Sequence, residues 1–267
     1  MFYIFSLLLG MIFGSFMNVL ICRLPYGNSI VFPPSSCPVC KSRIRFYDNI
    51  PIISFLLLGG KCRDCHTKIS YQYPLVELVT GAFFLAVYAK FGISVLALRY
   101  FVFVFLLLTI AFTDLFTSLD TKNFECGVIP VILTRGGIIL GFIFALFSPS
   151  ILNSLLNSFL GVLVGGLVIW LPGFIYKLVT KREGMGFGDV ELFGMIGAFL
   201  GYKPILLILF LSSFIGTIVG IPVIMIKKNR YFPIPFGPFI SLATMVYIFY
   251  GDGIIQLYSK LILGIGG

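Results

Sequence analysis

Four cysteines form two Cys-x-x-Cys pairs, Cys37/Cys40 and Cys62/Cys65, with 21 residues between the pairs. That spacing suits four thiolates around one tetrahedral Zn²⁺, and a four-thiolate shell leaves no open position, so such an ion is structural. His66 follows Cys65 directly and is expected on the surface of the knuckle, since the shell is full without it. Cys22 and Cys126 stand apart and read as ordinary buried thiols.

Acidic residues beside apolar runs are costly and need a reason. Four qualify: Glu77, Asp114, Asp189 and Glu191. Asp114 closes an apolar stretch in Ala111-Phe112-Thr113-Asp114-Leu115, and Asp189 follows Gly184-Met185-Gly186-Phe187-Gly188. Two carboxyls brought close together cannot both ionise cheaply. One then takes a proton from a water while the other polarises a carbonyl, which is peptide hydrolysis. Glycines before Asp189 would let a substrate strand approach the backbone. The plainer alternative makes Asp189 a helix N-cap and leaves Asp114 solvated at a helix end.

These groups must be held by a membrane scaffold. The 267 residues are 59% apolar and 11% charged, against about 25% charged in a soluble domain. Apolar runs near 20 residues cross a bilayer. Eight candidates are 1–21, 75–95, 97–114, 128–147, 152–176, 189–202, 204–226 and 235–251, with 253–265 an apolar tail suited to an interfacial helix. The net charge of +9 lies between the spans: Arg23 to Lys68 in the first loop, then Lys177, Lys181 and Arg182, then Lys227, Lys228 and Arg230. Alternating eight spans puts all three clusters on one side, which the positive-inside rule makes cytoplasmic. This pattern is one of membrane orientation and argues against nucleic acid. The amino-terminal apolar run has no preceding Lys or Arg, unlike a signal peptide. Cytoplasmic thiols stay reduced, which favours metal over disulfide. Division of the chain follows: 1–22 a first helix, 23–73 a cytoplasmic zinc-binding loop, 74–267 a helical bundle. Ile50 to Leu58 is too short to span and either lies at the interface, re-enters, or packs the zinc module onto the helices. Gly10/Gly14, Gly161/Gly165 and Gly197/Gly201 mark close helix contacts. No internal repeat and no nucleotide-binding glycine fingerprint is expected.

The motifs together resemble a known family. Gly186-Phe187-Gly188-Asp189 is similar to the GxGD motif of membrane aspartyl proteases, and the wider pattern resembles bacterial type IV prepilin peptidases. The matching segments are Gly14-Ser15-Phe16-Met17-Asn18-Val19 with Arg23-Leu24-Pro25, Asp48-Asn49-Ile50-Pro51 with Ser54, and the cysteine pairs. Tyr73-Pro74-Leu75-Val76-Glu77, the Asp189 region and Pro235-Phe236-Gly237-Pro238 complete them. The resemblance implies an all-α polytopic enzyme of the bacterial cytoplasmic (inner) membrane. Such enzymes cut the basic leader from prepilins and pseudopilins and methylate the freed amine with S-adenosylmethionine. It places the catalytic pair at Asp114 and Asp189, and the zinc site at Cys37, Cys40, Cys62 and Cys65. Substrate pilins and membrane lipids are the implied partners.

The chain departs from the family pattern after Thr117, where a short insert carries Asp120, Glu125 and Cys126; Asp120 thus competes with Asp114, which fits better. Glu191 stands where relatives often carry Lys, and a neighbouring negative charge would move the titration of a dyad. Arg135, early in its span, snorkels to the cytoplasm or reaches a carboxylate. Methyl transfer needs a deprotonated amine, of pKa near 8, aligned behind the sulfonium methyl. Asn18, Asn49 and Glu77 are the candidate cofactor-binding residues; capping, loop hydrogen bonds and a basic neighbour for Glu77 are their ordinary uses. Two other readings are a peptidase without methylation and a non-enzymatic zinc-bearing assembly subunit or transporter. A transporter would place its carboxylates near the bilayer midplane.

Overall fold

The computed structural model describes residues 2–124, 126–181, 186–227 and 234–263, which are helical and loop throughout, without a strand. The chain divides into two compact units, Met1–Phe116 and Thr117–Gly267.

The first unit contains α1 (Phe2–Arg23), a long loop holding a short α2 (Ile53–Leu57), then α3 (Gln72–Phe91) and α4 (Val95–Leu119), whose last turn enters the second unit. Helices α1 and α3 run antiparallel in one continuous register. Ser6 Oγ donates to Phe84 O, Gly10 sits against Gly81 and Phe84, Gly14 against the backbone of Glu77, and Asn18 Nδ2 donates to Tyr73 O. A methyl group on Gly14 would lie 2.7 Å from Glu77 Cα, so this approach depends on the absence of a side chain. Phe13, Phe84, Phe101 and Phe105 fill the angle between α1, α3 and α4.

The second unit contains α5 (Val131–Leu146), α6 (Ile151–Thr180), α7 (Phe187–Leu200), α8 (Ile205–Lys227) and α9 (Gly237–Leu263). Helix α7 is its centre. From Leu192 to Phe199 every residue is buried, as befits a helix apolar on all sides. Helix α6 packs antiparallel to it with Gly161 on Gly197 and Gly165 on Phe193, backbone touching backbone. Helix α5 lies parallel to it, Thr134 meeting Glu191 and Gly141 meeting Ala198. The expected close contacts at Gly161, Gly165, Gly197 and Gly201 are therefore present, and Gly201 also turns the chain at φ +79°.

Each of the eight apolar runs forms one helix. Among the described residues, five helices, α1, α3, α4, α6 and α8, are long and apolar enough to cross a membrane. Helix α5 has 16 residues and α7 only 14, about 21 Å at 1.5 Å per residue. The tail expected as a separate interfacial helix continues α9 without a break to Leu263. Leu56 and Leu57 of α2 face outward, while Phe55 rests on Tyr71 and Gly60, so this segment packs the cysteine loop onto the start of α3.

Candidate functional sites

Each cysteine pair is built by the same local hydrogen bonds. Cys37 N–H donates to Ser42 O and Lys41 N–H to Cys37 O; Cys62 N–H donates to Thr67 O and His66 N–H to Cys62 O. Lys41 and His66 occupy the left-handed region at φ 59° and 56°, and isolated bridges join Ser36 to Arg43 and Lys61 to Lys68. The two knuckles are copies of one structure, offset by 25 residues. The expectation of no repeat is thereby corrected. Its sequence trace is short, Cys-x-x-Cys-x-x-x-Ile at Cys37-Cys40-Ile44 and Cys62-Cys65-Ile69, because backbone bonds and not side chains define the fold.

The knuckles face each other and bring all four Sγ atoms within 4.8 Å of one another, with Cys37 to Cys65 at 3.7 Å and Cys40 to Cys62 at 4.0 Å. Zn–S bonds near 2.3 Å in a tetrahedron require S···S of about 3.8 Å. The donor set therefore fits zinc. The Thr67 hydroxyl and backbone N–H pull the Cys65 thiol down to about 6, and Ser42 lowers Cys40 in the same way. At neutral pH Cys65 thus offers thiolate, the form that binds metal. His66 closes the second knuckle through its backbone N–H, and among the described residues the converging group consists of the four cysteines.

The second knuckle is tied to the preceding loop. Arg63 binds Asp48 through two parallel hydrogen bonds, Nε to Oδ2 at 2.9 Å and a terminal nitrogen to Oδ1 at 2.6 Å, and lies over the Tyr47 ring. This guanidinium holds the Asp48 carboxyl below its ordinary range. Ser54 Oγ donates to Tyr47 O and accepts from Ile50 N–H.

Between this loop and α1/α3 lies a cavity of about 740 Å³, within the range of small-molecule sites. Asn18, Asn49 and Glu77 all line it, along with Ser15, Arg23 and Tyr73. Three residues chosen from distant sequence positions are thus brought to one chamber. Asn49 is exposed at its rim, while Asn18 and Glu77 are buried. Arg23 is already occupied by the carbonyls of Ser29 and Pro33. Cys22 also lines the chamber and is exposed, as is Cys126, so neither is the buried thiol expected of it. Cys22 sits on the last turn of α1, where the helix leaves its packing against α3.

The two aspartates occupy different units. Asp114 is buried near the end of α4, 3% exposed. Asp189 is half-buried in the first turn of α7. It is not the N-cap: that position is Gly186, whose carbonyl accepts from Asp189 N–H. The Asp189 carboxylate lies 3.5 Å from where a Gly186 Cβ would stand, at the positive end of the helix. A side chain on Gly188 would collide with Ile129, so that glycine serves packing. Gly184 lies outside the described residues. Asp120 is engaged in the turn after α4, its carboxylate accepting from Asn123 Nδ2 at 2.7 Å and its carbonyl from Asn123 N–H.

Glu191 is held on two sides, by Thr134 Oγ1 at 2.7 Å and by Arg135 at 2.8 and 3.0 Å. Among the expectations for Arg135, reaching a carboxylate is realised. Sequence spacing could not supply this pair, since 56 positions separate its members.

The family model of the bacterial peptidase A24 N-terminal domain matches residues 8–91, and that of the type IV leader peptidase family matches residues 101–221. Among curated relatives, a prepilin leader peptidase/N-methyltransferase of Stutzerimonas stutzeri is 34% identical over 96% of this chain and 93% of its own. Proteins of the same name from Bacillus subtilis (strain 168) and Neisseria gonorrhoeae are 35% and 34% identical, covering 96% and 92% of this chain and 97% and 90% of theirs. No solved structure gives a significant match.

Proposed function

Because the chain belongs to the type IV leader peptidase family, we propose that it is a bifunctional membrane enzyme acting on prepilins and pseudopilins. It removes the leader peptide on the cytoplasmic face of the inner membrane and methylates the new amino terminus. In this reading the chain crosses the membrane eight times. Residues 1–22 are the first crossing, 23–73 the zinc-binding loop that serves methyl transfer, and 74–267 the peptidase bundle, whose α3 lends Glu77 to the methyl-transfer chamber.

Asp114 and Asp189 form the proteolytic pair. They share one proton and titrate together. The ionised carboxylate takes a proton from the attacking water as the protonated one donates to the scissile carbonyl, and the leaving amine is then protonated. The observation that carries this assignment over its rival is the engagement of Asp120 by Asn123 in a surface turn, against the burial of Asp114.

Zinc held by Cys37, Cys40, Cys62 and Cys65 is structural, since it fixes the loop that roofs the 740 Å³ chamber. That chamber binds S-adenosylmethionine, with Asn18, Asn49 and Glu77 among its contacts. When bound, the cofactor supplies an electrophilic methyl group. The chain's own part is to desolvate and aim the substrate amine, which the loop achieves by covering the chamber.

The decisive measurement is mass spectrometry of a prepilin co-expressed with wild type, Asp114→Asn, Asp120→Asn or Asp189→Asn. Cleavage and the methyl increment are read together. The first and third substitutions should lower cleavage by about 10³-fold or more, and Asp120→Asn should leave it within a few-fold. Full cleavage by Asp189→Asn would refute the dyad.

A further inference from the structure

The chamber wall contains one buried acceptor without a hydrogen-bond partner, Asn18 Oδ1, and, among the described residues, one buried carboxylate without a cationic partner, Glu77. Asn18 is 2% exposed, and its Nδ2 is committed to Gly14 O at 3.3 Å and Tyr73 O at 3.1 Å. Those two donations fix the orientation of the amide, so Oδ1 is the acceptor, and it has no partner. A buried polar atom left unmatched keeps its full desolvation penalty, so its retention at a cavity wall calls for a visiting donor.

Glu77 stands one turn away on the facing helix. The α1/α3 register pairs Asn18 with Tyr73 and Gly14 with Glu77, and both residues line the same chamber. Glu77 is 7% exposed, and its Oε2 accepts Ile52 N–H at 2.8 Å. Among the described residues no Lys or Arg pairs with it: the ion pairs there are Arg63–Asp48 and Arg135–Glu191. The Ile52 contact is costly to make. Ile52 sits at φ 60° and ψ −49°, in a tight turn closed by Ile53 N–H on Pro51 O. A β-branched residue rarely occupies that region, and such backbone strain clusters where a ligand is held.

We propose that Asn18 Oδ1 and Glu77 form a seat for a primary ammonium group. This deepens the methyl-transfer reading and rests on it. A cation balances the buried carboxylate, and N–H donors satisfy the amide oxygen. A sulfonium centre, having no N–H, meets only half of this demand, and a neutral aromatic amine leaves the carboxylate unbalanced. Two sources carry the group: the freed amino terminus of the pilin and the amino-acid end of the cofactor.

The test compares wild type with Asn18→Leu, Asn18→Asp and Glu77→Gln in the full-length, zinc-loaded protein in detergent. The dissociation constant of S-adenosylhomocysteine is measured by calorimetry, alongside the methylation KM of a synthetic mature-pilin peptide. Zinc content and melting temperature establish that each variant is folded. If the cofactor's ammonium is seated, Asn18→Leu and Glu77→Gln weaken S-adenosylhomocysteine at least tenfold, while its analogue lacking the amino group binds wild type and variants alike. If the peptide's amine is seated, the KM rises at least tenfold with cofactor affinity unchanged, and an N-acetylated peptide no longer competes. Asn18→Asp, which keeps an acceptor, retains binding better than Asn18→Leu in either case. Folded variants that alter neither constant overturn the seat. Wild type that neither binds the cofactor nor methylates would instead defeat the parent reading.

Discussion

The cysteine loop of the first unit and the helices of the second hold polar chemistry in an apolar chain by opposite means. In the first, the cysteine loop is nearly devoid of regular structure, and its shape comes from knuckle hydrogen bonds, the Asp48–Arg63 pair and four converging thiols. In the second, shape comes from helices packed so closely that glycine backbones touch. One region is specified by a few strong, directional bonds and a four-thiol cluster fit to hold a metal, the other by many weak contacts and missing side chains. The first should therefore fail to a chelator, and the second to a methyl group.

Removing metal strikes at the strongest interaction on one side of that contrast. Binding to structural four-ligand zinc sites is worth about 10–16 kcal/mol. A strong chelator, or Cys62→Ser, should deprotect the amides of 35–70 in hydrogen exchange and abolish methylation, leaving the amides of α6 and α7 protected. Loss of protection in α6 and α7 to the same degree would erase the distinction.

The reciprocal experiment is Gly197→Ala. Its added methyl meets the backbone of Gly161, which cannot rotate away. A destabilisation of about 3 kcal/mol is expected, seen as a melting temperature lower by roughly 6–12 °C for a unit this size. Zinc content should be unchanged. A melting temperature within a degree of wild type would mean that α6 and α7 are not in contact as described.

A smaller effect is expected where the second unit uses charge. Arg135→Met strips Glu191 of its guanidinium partner but leaves Thr134. Because Arg135 is well exposed, the loss should be about 1 kcal/mol or less. The informative reading is the pH–rate profile of cleavage, since Glu191 lies two residues from Asp189. Arg135→Met should shift the acid limb upward, and Glu191→Lys should shift it downward. Profiles that superimpose would separate Glu191 from the chemistry.

The smallest change concerns the Asp48–Arg63 pair. Arg63 holds the Asp48 carboxyl below its ordinary range, so the folded loop binds a proton there less readily than the unfolded chain. The pair's stabilisation is therefore full above the ordinary carboxylate pKa and is lost as pH falls through the lowered value. Loop protection in wild type should decline across that acid window, and Asp48→Asn should flatten the decline. An equal decline in both would assign it to other groups.

Much of this could be seen before any coordinates. The apolar runs gave one helix each because a 20-residue period of hydrophobicity is imposed by the bilayer and owes nothing to tertiary contacts. The glycine pairs announced helix contacts, and the cysteine spacing announced a tetrahedral site. What stayed hidden was local backbone geometry and distant pairing. The knuckle repeat escaped because main-chain hydrogen bonds accept almost any side chain at Lys41 or His66. The α9 continuation escaped because Gly251 and Gly253 look like breaks, though a helix in an apolar setting tolerates them.

By itself, the sequence determined which residue types are available and the regular elements that carry them: four thiols, isolated acids, apolar helices of measurable length. These follow from covalent chemistry and short-range periodicity. Only tertiary structure decided which atoms are already spent. Arg23, Arg63 and Asp120 have found partners within the protein, whereas Asn18 Oδ1 has none. The availability of a donor or acceptor is a property of its neighbours in space, which one-dimensional spacing does not encode.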